Sequence, residues 1–599
     1  MLAVSIKLFH GDAKTVIREN PSLLQNVPLT ARLGFPDVVF PGDVRNEMYI
    51  KLWSGEFTST HPGTRLSVAN FARGPMGQSN NNVQVTIEVR DQNGDVIEKV
   101  ISQGSGEPSV TQFHSMVFQR NNEPTWGELV KLQLPMNGPP NWHLFFTFRH
   151  RSAREKPSGR SGNDSLERPF AFAFLPLLPE SRAFLEDGSH TLALYRATNL
   201  HQLPVEAYLQ NLAWTTSGSR VESTYPDLQR LVPALRDNLT IRTSLCSTKF
   251  TQNSVLLSLL NWEQIRDREL LTTVLSKFTF VGEVEIVKFL RDIFDSLFSI
   301  LISPINNTGD LDQLVFNALV TVLGIVQDRR FSNFQPVLDV YIEKHFNCSS
   351  ASSHLIQSMN RLLSTHASND TAMQLRAALK VWHYLFKFIV RSRELQKAKE
   401  IGIAGGATAE HLETAFKKEL TAHLNEVNRM MQTTTPPSII GTQTIALQHF
   451  TSILPDLAKI FPVVEVVGIV QNFANSVSAA KGKIAIWKLI MYLQVVKGFL
   501  FDLSQSRALL VEAVVIWIKP HFGRFDEYMQ TQPGDPENAR DNARVSWLES
   551  TRLCVTIVAV MLDKLQQSLV NPTIASDRNS LRQEQDNVEY LLSLLPRYV

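Results

Sequence analysis

The hydrophobic period of this chain changes near residue 205, and that change limits the fold to two architectures joined end to end. Before it, short apolar runs alternate with turn residues. The runs 48–53, 83–89, 96–101, 112–118, 128–134, 143–148, 170–175 and 191–195 are rich in β-branched and aromatic side chains. Most repeat every two positions, the period of a half-buried strand. Asn93-Gly94 between the second and third runs supplies the positive φ values of a tight hairpin turn. Eight such strands predict an antiparallel β-sandwich over 44–205, with 1–43 as an N-terminal lead-in. The polar, turn-rich stretch 215–227 lies in 206–250, which reads as a linker.

After residue 250 the period becomes helical. In 283–302 the residues Val284, Val287, Leu290, Phe294, Leu297 and Leu301 share one face of a helix. Similar patterns fill 251–599 with short polar breaks between them. So many amphipathic helices exceed what one bundle core can bury. Stacked helix pairs bury them without limit, so the expectation is an α-solenoid of the armadillo or HEAT kind.

Charge and cysteine usage narrow the function. The 59 basic and 57 acidic side chains nearly cancel, which excludes a globally basic nucleic-acid binder. Cys246, Cys348 and Cys554 are far apart and form no metal-ligand pair, as befits a reducing compartment. The N-terminus lacks a basic region followed by a full apolar stretch, so it is not a signal peptide. The apolar runs 319–326 and 508–518 are short of the roughly 20 residues a bilayer requires. The reading is a cytoplasmic protein recruited peripherally to membranes.

The motifs of phosphate loops, dinucleotide folds, zinc proteases and serine hydrolases are absent. Asp91–Asp95 fails the calcium-loop spacing, because its glycine is fourth and its twelfth residue is Ser102. No catalytic residue, metal site or cofactor is expected.

The informative charge is local. Segment 149–168 holds six basic residues, among them Arg149, Arg151, Arg154, Lys156 and Arg160, against three acidic ones. Segment 58–82 holds His61, Arg65 and Arg73 and no acid, interleaved with Leu66 and Phe71. Cationic heads between apolar anchors suit an anionic lipid surface. Strict strand alternation puts 58–82, 102–111 and 135–141 at one end of the sandwich. It puts 91–95, 119–127 and 149–168 at the other, so the two basic loops are expected apart.

Longer strings carry a resemblance. Phe40-Pro41-Gly42-Asp43-Val44-Arg45-Asn46, followed by Met48-Tyr49-Ile50, resembles the opening of the DHR-1 domain of DOCK (dedicator of cytokinesis) proteins. Phe146-x-Phe148-Arg149-His150-Arg151-Ser152 and Leu185-x-Asp187-Gly188-x-His190 continue it. In the helical half, Cys246-Ser247-Thr248-Lys249-x-Thr251-Gln252-Asn253 and Phe386-Lys387-Phe388-Ile389-Val390-Arg391-Ser392-Arg393 agree. The pattern is most similar to the Rac-directed branch, and the long 58–82 segment marks a divergent, fungal-type member.

The resemblance implies a C2-type sandwich that binds phosphoinositides through basic end loops, followed by an armadillo-like array. It implies small-GTPase signalling to the actin cytoskeleton. Guanine nucleotide exchange on a Rho-family GTPase then belongs to a DHR-2 domain, and an ELMO-type adaptor to an SH3 region. Neither is recognisable here, so the chain is expected to be a non-catalytic membrane-targeting and scaffolding portion. The alternative is a structural protein-interaction module, a homodimer among its forms, without lipid binding.

Overall fold

The computed structural model describes residues 13–19, 40, 44–57, 82–104, 107–136, 141–151, 169–179, 183–197, 200, 203–217, 228–404, 406–477, 482–523, 525, 537–571 and 576–594. The chain divides into two compact units, Met1–Leu257 and Ser258–Val599.

The first unit is built on nine strands: β1 (Asn46–Glu56), β2 (Val83–Arg90), β3 (Ile101–Ser102), β4 (Gln112–His114), β5 (Thr125–Gln133), β6 (His143–His150), β7 (Ala171–Pro176), β8 (Gly188–Arg196) and β9 (Ala234–Ser247). Their order is β3-β5-β1-β9-β8-β7-β6-β2-β4, and every neighbouring pair is antiparallel. Alternate side chains of this sheet fill one core. Met48, Ile50 and Leu52 of β1 and Leu239, Ile241 and Leu245 of β9 join Val85, Ile87, Leu144, Phe146 and Phe148 there. The sheet therefore encloses its core as a sandwich.

The described residues of 206–250 are not a linker. β9 lies between β1 and β8 and is central to the sheet. Its inward period of two is present in Leu239, Ile241, Thr243 and Leu245, diluted by Arg236, Asp237 and Arg242. The helix Val205–Asn211 covers a second core on the opposite face of β6 and β7. There Tyr208 packs on Phe145, Phe172 and Phe174. This explains the near-continuous apolar strings in those strands, which are buried on both faces. A tight turn follows β2, but only Gly94 and not Asn93 takes the expected positive φ, and the run 96–101 pairs back on β2 only around Val96. Gly94 takes φ +92°, and Asp91 Oδ1 accepts from the backbone N–H of Asn93 and Asp95. A Cβ at Gly94 would stand 2.3 Å from Val205 Cγ2, so glycine is also required for helix Val205–Asn211 to dock.

The second unit consists of successive helices in two rows. One row runs through Arg268–Phe278, Asp312–Gln327, Asn369–Lys380, Ile439–His449, Gly482–Lys497 and Glu537–Val570, each packed on the next. The other runs through Leu290–Leu301, Ala351–Ser364, Gly406–Gln432, Val463–Ser476, Ser504–Ile518 and Arg578–Leu592. Such stacking gives every helix a buried stripe without a single shared core. The expected helix 283–302 breaks at Phe289 into Glu283–Lys288 and Leu290–Leu301.

Buried polar groups tie neighbouring helices together. Arg393 reaches Glu400 and Glu413, and Arg507 reaches Glu584 and Ser568. Among the described residues one stretch, Asp541–Val570, is long and apolar enough to cross a membrane by length and composition. Its Cys554, Ile557, Met561 and Leu565 are nevertheless buried, and its helix packs on Gly482–Lys497 and Arg578–Leu592 as a core helix does.

Candidate functional site at one end of the sandwich

His61, Arg65, Leu66, Phe71 and Arg73 lie outside the described residues, as do Arg154, Lys156 and Arg160. Arg149 and Arg151 are described, and the backbone around them shows where both basic segments attach. Val83 pairs with His150 and Gln84 with Arg149. The Arg151 N–H donates to Asn82 O at 2.8 Å, and Asn82 Nδ2 donates to Arg151 O at 3.1 Å. The Arg120 N–H donates to Asn82 Oδ1, and the Phe57 N–H donates to Asn122 O. The Phe57 ring meets Phe148 with 5.9 Å between centroids. Residues 57, 82, 120–122 and 151 therefore share one end of the sandwich.

This overturns the expectation that the two basic segments sit at opposite ends. β3 is two residues long and β4 three, not the full strands read at 96–101 and 112–118. β4 and β6 both pair antiparallel with β2, so both run in the sense of β1. The first six strands do not alternate strictly. The connections after β1 and after β6 consequently leave from the same end.

Outward-facing positions near that end gather cations. Arg149 on β6, Arg151 just beyond it and His114 on β4 stand beside Gln84 and Thr86 of β2. Arg151 Nε donates to Gln84 Oε1 at 2.7 Å, and Thr86 Oγ1 shares a hydrogen bond with His114 Nδ1 at 3.0 Å. Partial burial lowers the pKa of His114, and the charges of Arg151 and Arg149 lower it further. Arg149 Nε is buried without a hydrogen-bond partner. Among the described residues no carboxylate pairs with Arg120, Arg149 or Arg151.

Apolar groups are exposed next to these cations. Met116 is 56 % exposed and Val117 38 %. They belong to the β4–β5 connection, whose backbone is pinned. Met116 N–H donates to Glu128 Oε2, Trp126 Nε1–H donates to Met116 O, and Ser115 N–H donates to Val85 O. Arg120, with φ +55°, is in the left-handed region on the same connection. Sequence reasoning missed His114, Met116, Val117 and Arg120. The run 112–118 reads as one strand, but strand pairing with β2 ends at His114 and the last hydrogen bonds to it are made by Ser115, which frees Met116 and Val117 from the sheet.

Among the described residues no three His, Cys, Asp or Glu side chains converge as a metal site. A groove of about 510 Å³ between helices Gly406–Gln432 and Val463–Ser476 is lined by Asn425, Asn428, Gln432, Asn472 and Asn475, with Arg429 and Ser476. It contains no base beside a nucleophile.

The family model described as the C2 domain in Dock180 and Zizimin proteins matches residues 41–255. The model of the dedicator of cytokinesis (DOCK) TPR region matches 267–583, more than half the chain, and that of the DOCK N-terminus matches 1–36. The chain belongs to the dedicator of cytokinesis family. Dedicator of cytokinesis protein 3 of Mus musculus is 32% identical, over 88% of this chain and 24% of that protein. Dedicator of cytokinesis protein 4 of Mus musculus is 33% identical, over 79% of this chain and 22% of that protein. The chain thus spans about a quarter of the relatives it matches. A C2 domain of plant extended synaptotagmin 1 aligns at 11% identity over 34% of this chain and 95% of that domain, with TM-score 0.17, a likeness too slight to bear on the fold. In this DOCK chain the helical unit is described by its family as a TPR region, where the residue pattern alone points to armadillo or HEAT stacking.

Proposed function

We propose that this chain is the membrane-recruiting and scaffolding portion of a Rho-family guanine nucleotide exchange factor, without the exchange step itself. In this reading the C2-like unit meets a phosphoinositide-containing membrane with the end that bears Arg149, Arg151 and His114. The attachment of both basic segments at that end, beside exposed Met116 and Val117, is the observation that carries it. Unpaired cations attract an anionic surface, and exposed apolar groups enter the headgroup layer. The helical unit then serves as the scaffold, and the localisation is cytoplasmic with peripheral recruitment. A Rho-family GTPase and an ELMO-type adaptor engage other parts of the full-length protein.

The test is co-sedimentation of the full chain with phosphatidylcholine liposomes containing a phosphoinositide. Arg149→Glu/Arg151→Glu is expected to abolish binding. Unchanged binding would sink the assigned surface.

A second reading, a protein-interaction module, has one specific support. Helix Glu537–Val570 exposes Val545, Leu548, Val555 and Leu562 at heptad spacing on the side away from its buried face. Concentration-dependent dimerisation lost in Leu548→Glu/Val555→Glu, together with no lipid binding, would favour it over the first.

A further inference from the structure

The outward face of β1 and β9 carries a second, separate group of cations. Lys51 of β1 and Arg242 of β9 are direct cross-strand partners. Like charges placed opposite each other destabilise a strand pair. Neither has an acidic partner among the described residues. On the same strand, by contrast, Glu47 is engaged by Lys131 and Arg45.

Both cations instead lie against one ring. The Arg242 guanidinium carbon is 3.7 Å from the Trp53 ring centroid, and Lys51 Nζ is 5.1 Å from it. A β-bulge sets Trp53 there. Leu52 pairs with Ile241 and Ser54 with Thr240, which leaves Trp53 as the extra residue with no partner on β9. Bulges re-aim side chains and recur beside binding sites. Stacking on the indole holds the guanidinium plane in place while its N–H donors stay free for an acceptor.

We propose that Lys51, Trp53 and Arg242 form an anion site for a phosphomonoester, distinct from the loop end. Trp53 precedes Phe57 by four residues of extended chain and Lys51 by six, so the site is about 13–20 Å from that end. A phosphate bridging the two cations cancels the repulsion that the empty pair imposes. The phosphate belongs either to a soluble inositol phosphate or to a lipid headgroup, and the assay separates these sources.

The experiment is calorimetric titration of the full chain with soluble inositol trisphosphate, repeated with phosphatidylcholine vesicles containing the matching phosphoinositide. Wild type is expected to bind trisphosphate at the Lys51–Arg242 site as well as through Arg149 and Arg151. Lys51→Gln/Arg242→Gln removes the first of these components, and Arg149→Gln/Arg151→Gln leaves it in place. Loss of that component with soluble trisphosphate alone identifies a soluble ligand. Loss with the vesicles too identifies a headgroup. Unchanged stoichiometry and affinity in Lys51→Gln/Arg242→Gln, or no saturable binding by wild type, overturns the proposal.

Lys51→Glu guards against a purely structural explanation. It places a carboxylate opposite Arg242, so it should raise the melting temperature while weakening trisphosphate binding at this site by about tenfold or more. A lower melting temperature with unchanged binding would assign the pair to the fold and refute the site.

Discussion

The apolar and ionic parts of the loop end can be separated by salt. Met116 is 56 % exposed and Val117 38 %, so insertion can bury roughly half of the 1.5–3 kcal/mol that full burial of such a side chain contributes. Together they should supply about 1.5–3 kcal/mol, on the order of ten- to a hundredfold in partitioning. Arg149 and Arg151, at about 1 kcal/mol each near an anionic surface, should supply about 2 kcal/mol, roughly thirtyfold. The ionic share is screened as the Debye length contracts from about 10 Å at 0.1 M salt to about 3 Å at 1 M, and the apolar share is not. Liposome co-sedimentation of Met116→Ser/Val117→Ser should show the same fold loss at both salt concentrations. Arg149→Gln/Arg151→Gln should lose most at low salt and converge on wild type at high salt. Phe280, 88 % exposed on the helical unit, provides the control, since Phe280→Ser should change nothing. If the methionine–valine variant binds as wild type at both concentrations, or if Phe280→Ser loses as much, the proposed surface is wrong.

Three further outcomes follow from the packing. Arg507 and Glu584 are almost wholly buried, and Arg507 also donates to Phe501 O and Ser568 Oγ, so Arg507→Met should cost about 3–5 kcal/mol in urea unfolding. Arg507→Met/Glu584→Met should recover much of that loss, because no unpaired buried charge is left. Gly94→Ala should destabilise the C2-like unit by about 2 kcal/mol or more, from its positive φ and the Val205 contact. Adding Val205→Ala should restore only the steric share, as read from thermal melts. His423 is fully enclosed, and burial pushes its pKa down to about 4. Because the folded state holds it neutral, its contribution is present above about pH 6.5 and is lost as pH falls towards about 4, a swing of about 3 kcal/mol. The urea midpoint of His423→Gln should accordingly fall less between pH 7 and pH 5 than that of wild type.

The switch of period near residue 205 was enough to separate a strand-built half from a helix-built half, because burial on one face imposes a period that composition cannot hide. It misplaced the boundary between them. β9 is central in the sheet yet carries Arg236, Asn238, Thr240 and Arg242 on its outer face, so local hydropathy reads it as polar chain. The break at Phe289 was equally hidden, since Glu283–Lys288 and Leu290–Leu301 keep the same apolar spacing on either side of it. Both misses have one cause. Periodicity registers which face is buried, but not which distant element does the burying.

The same distinction governs the candidate site. Arg149 and Arg151 were legible as residue types, because six basic residues against three acidic ones in a short segment stand out in a nearly neutral chain. Their relation to 58–82 was not, because an end-to-end argument depends on the sense of every intervening strand. β3 and β4 pair through only two and three residues, and each is too short to announce whether it crosses the sandwich or turns back. Pairing of Val83 with His150 fixes the answer in a way that no local count could. Met116 and Val117 show the complementary case. Their sequence suits a strand, and it is the loss of a β2 partner after Ser115 that converts two apolar residues from core candidates into exposed ones beside a basic patch. What a residue can do was in the sequence, and which side of the molecule it does it on was decided by hydrogen bonds between residues about seventy positions apart.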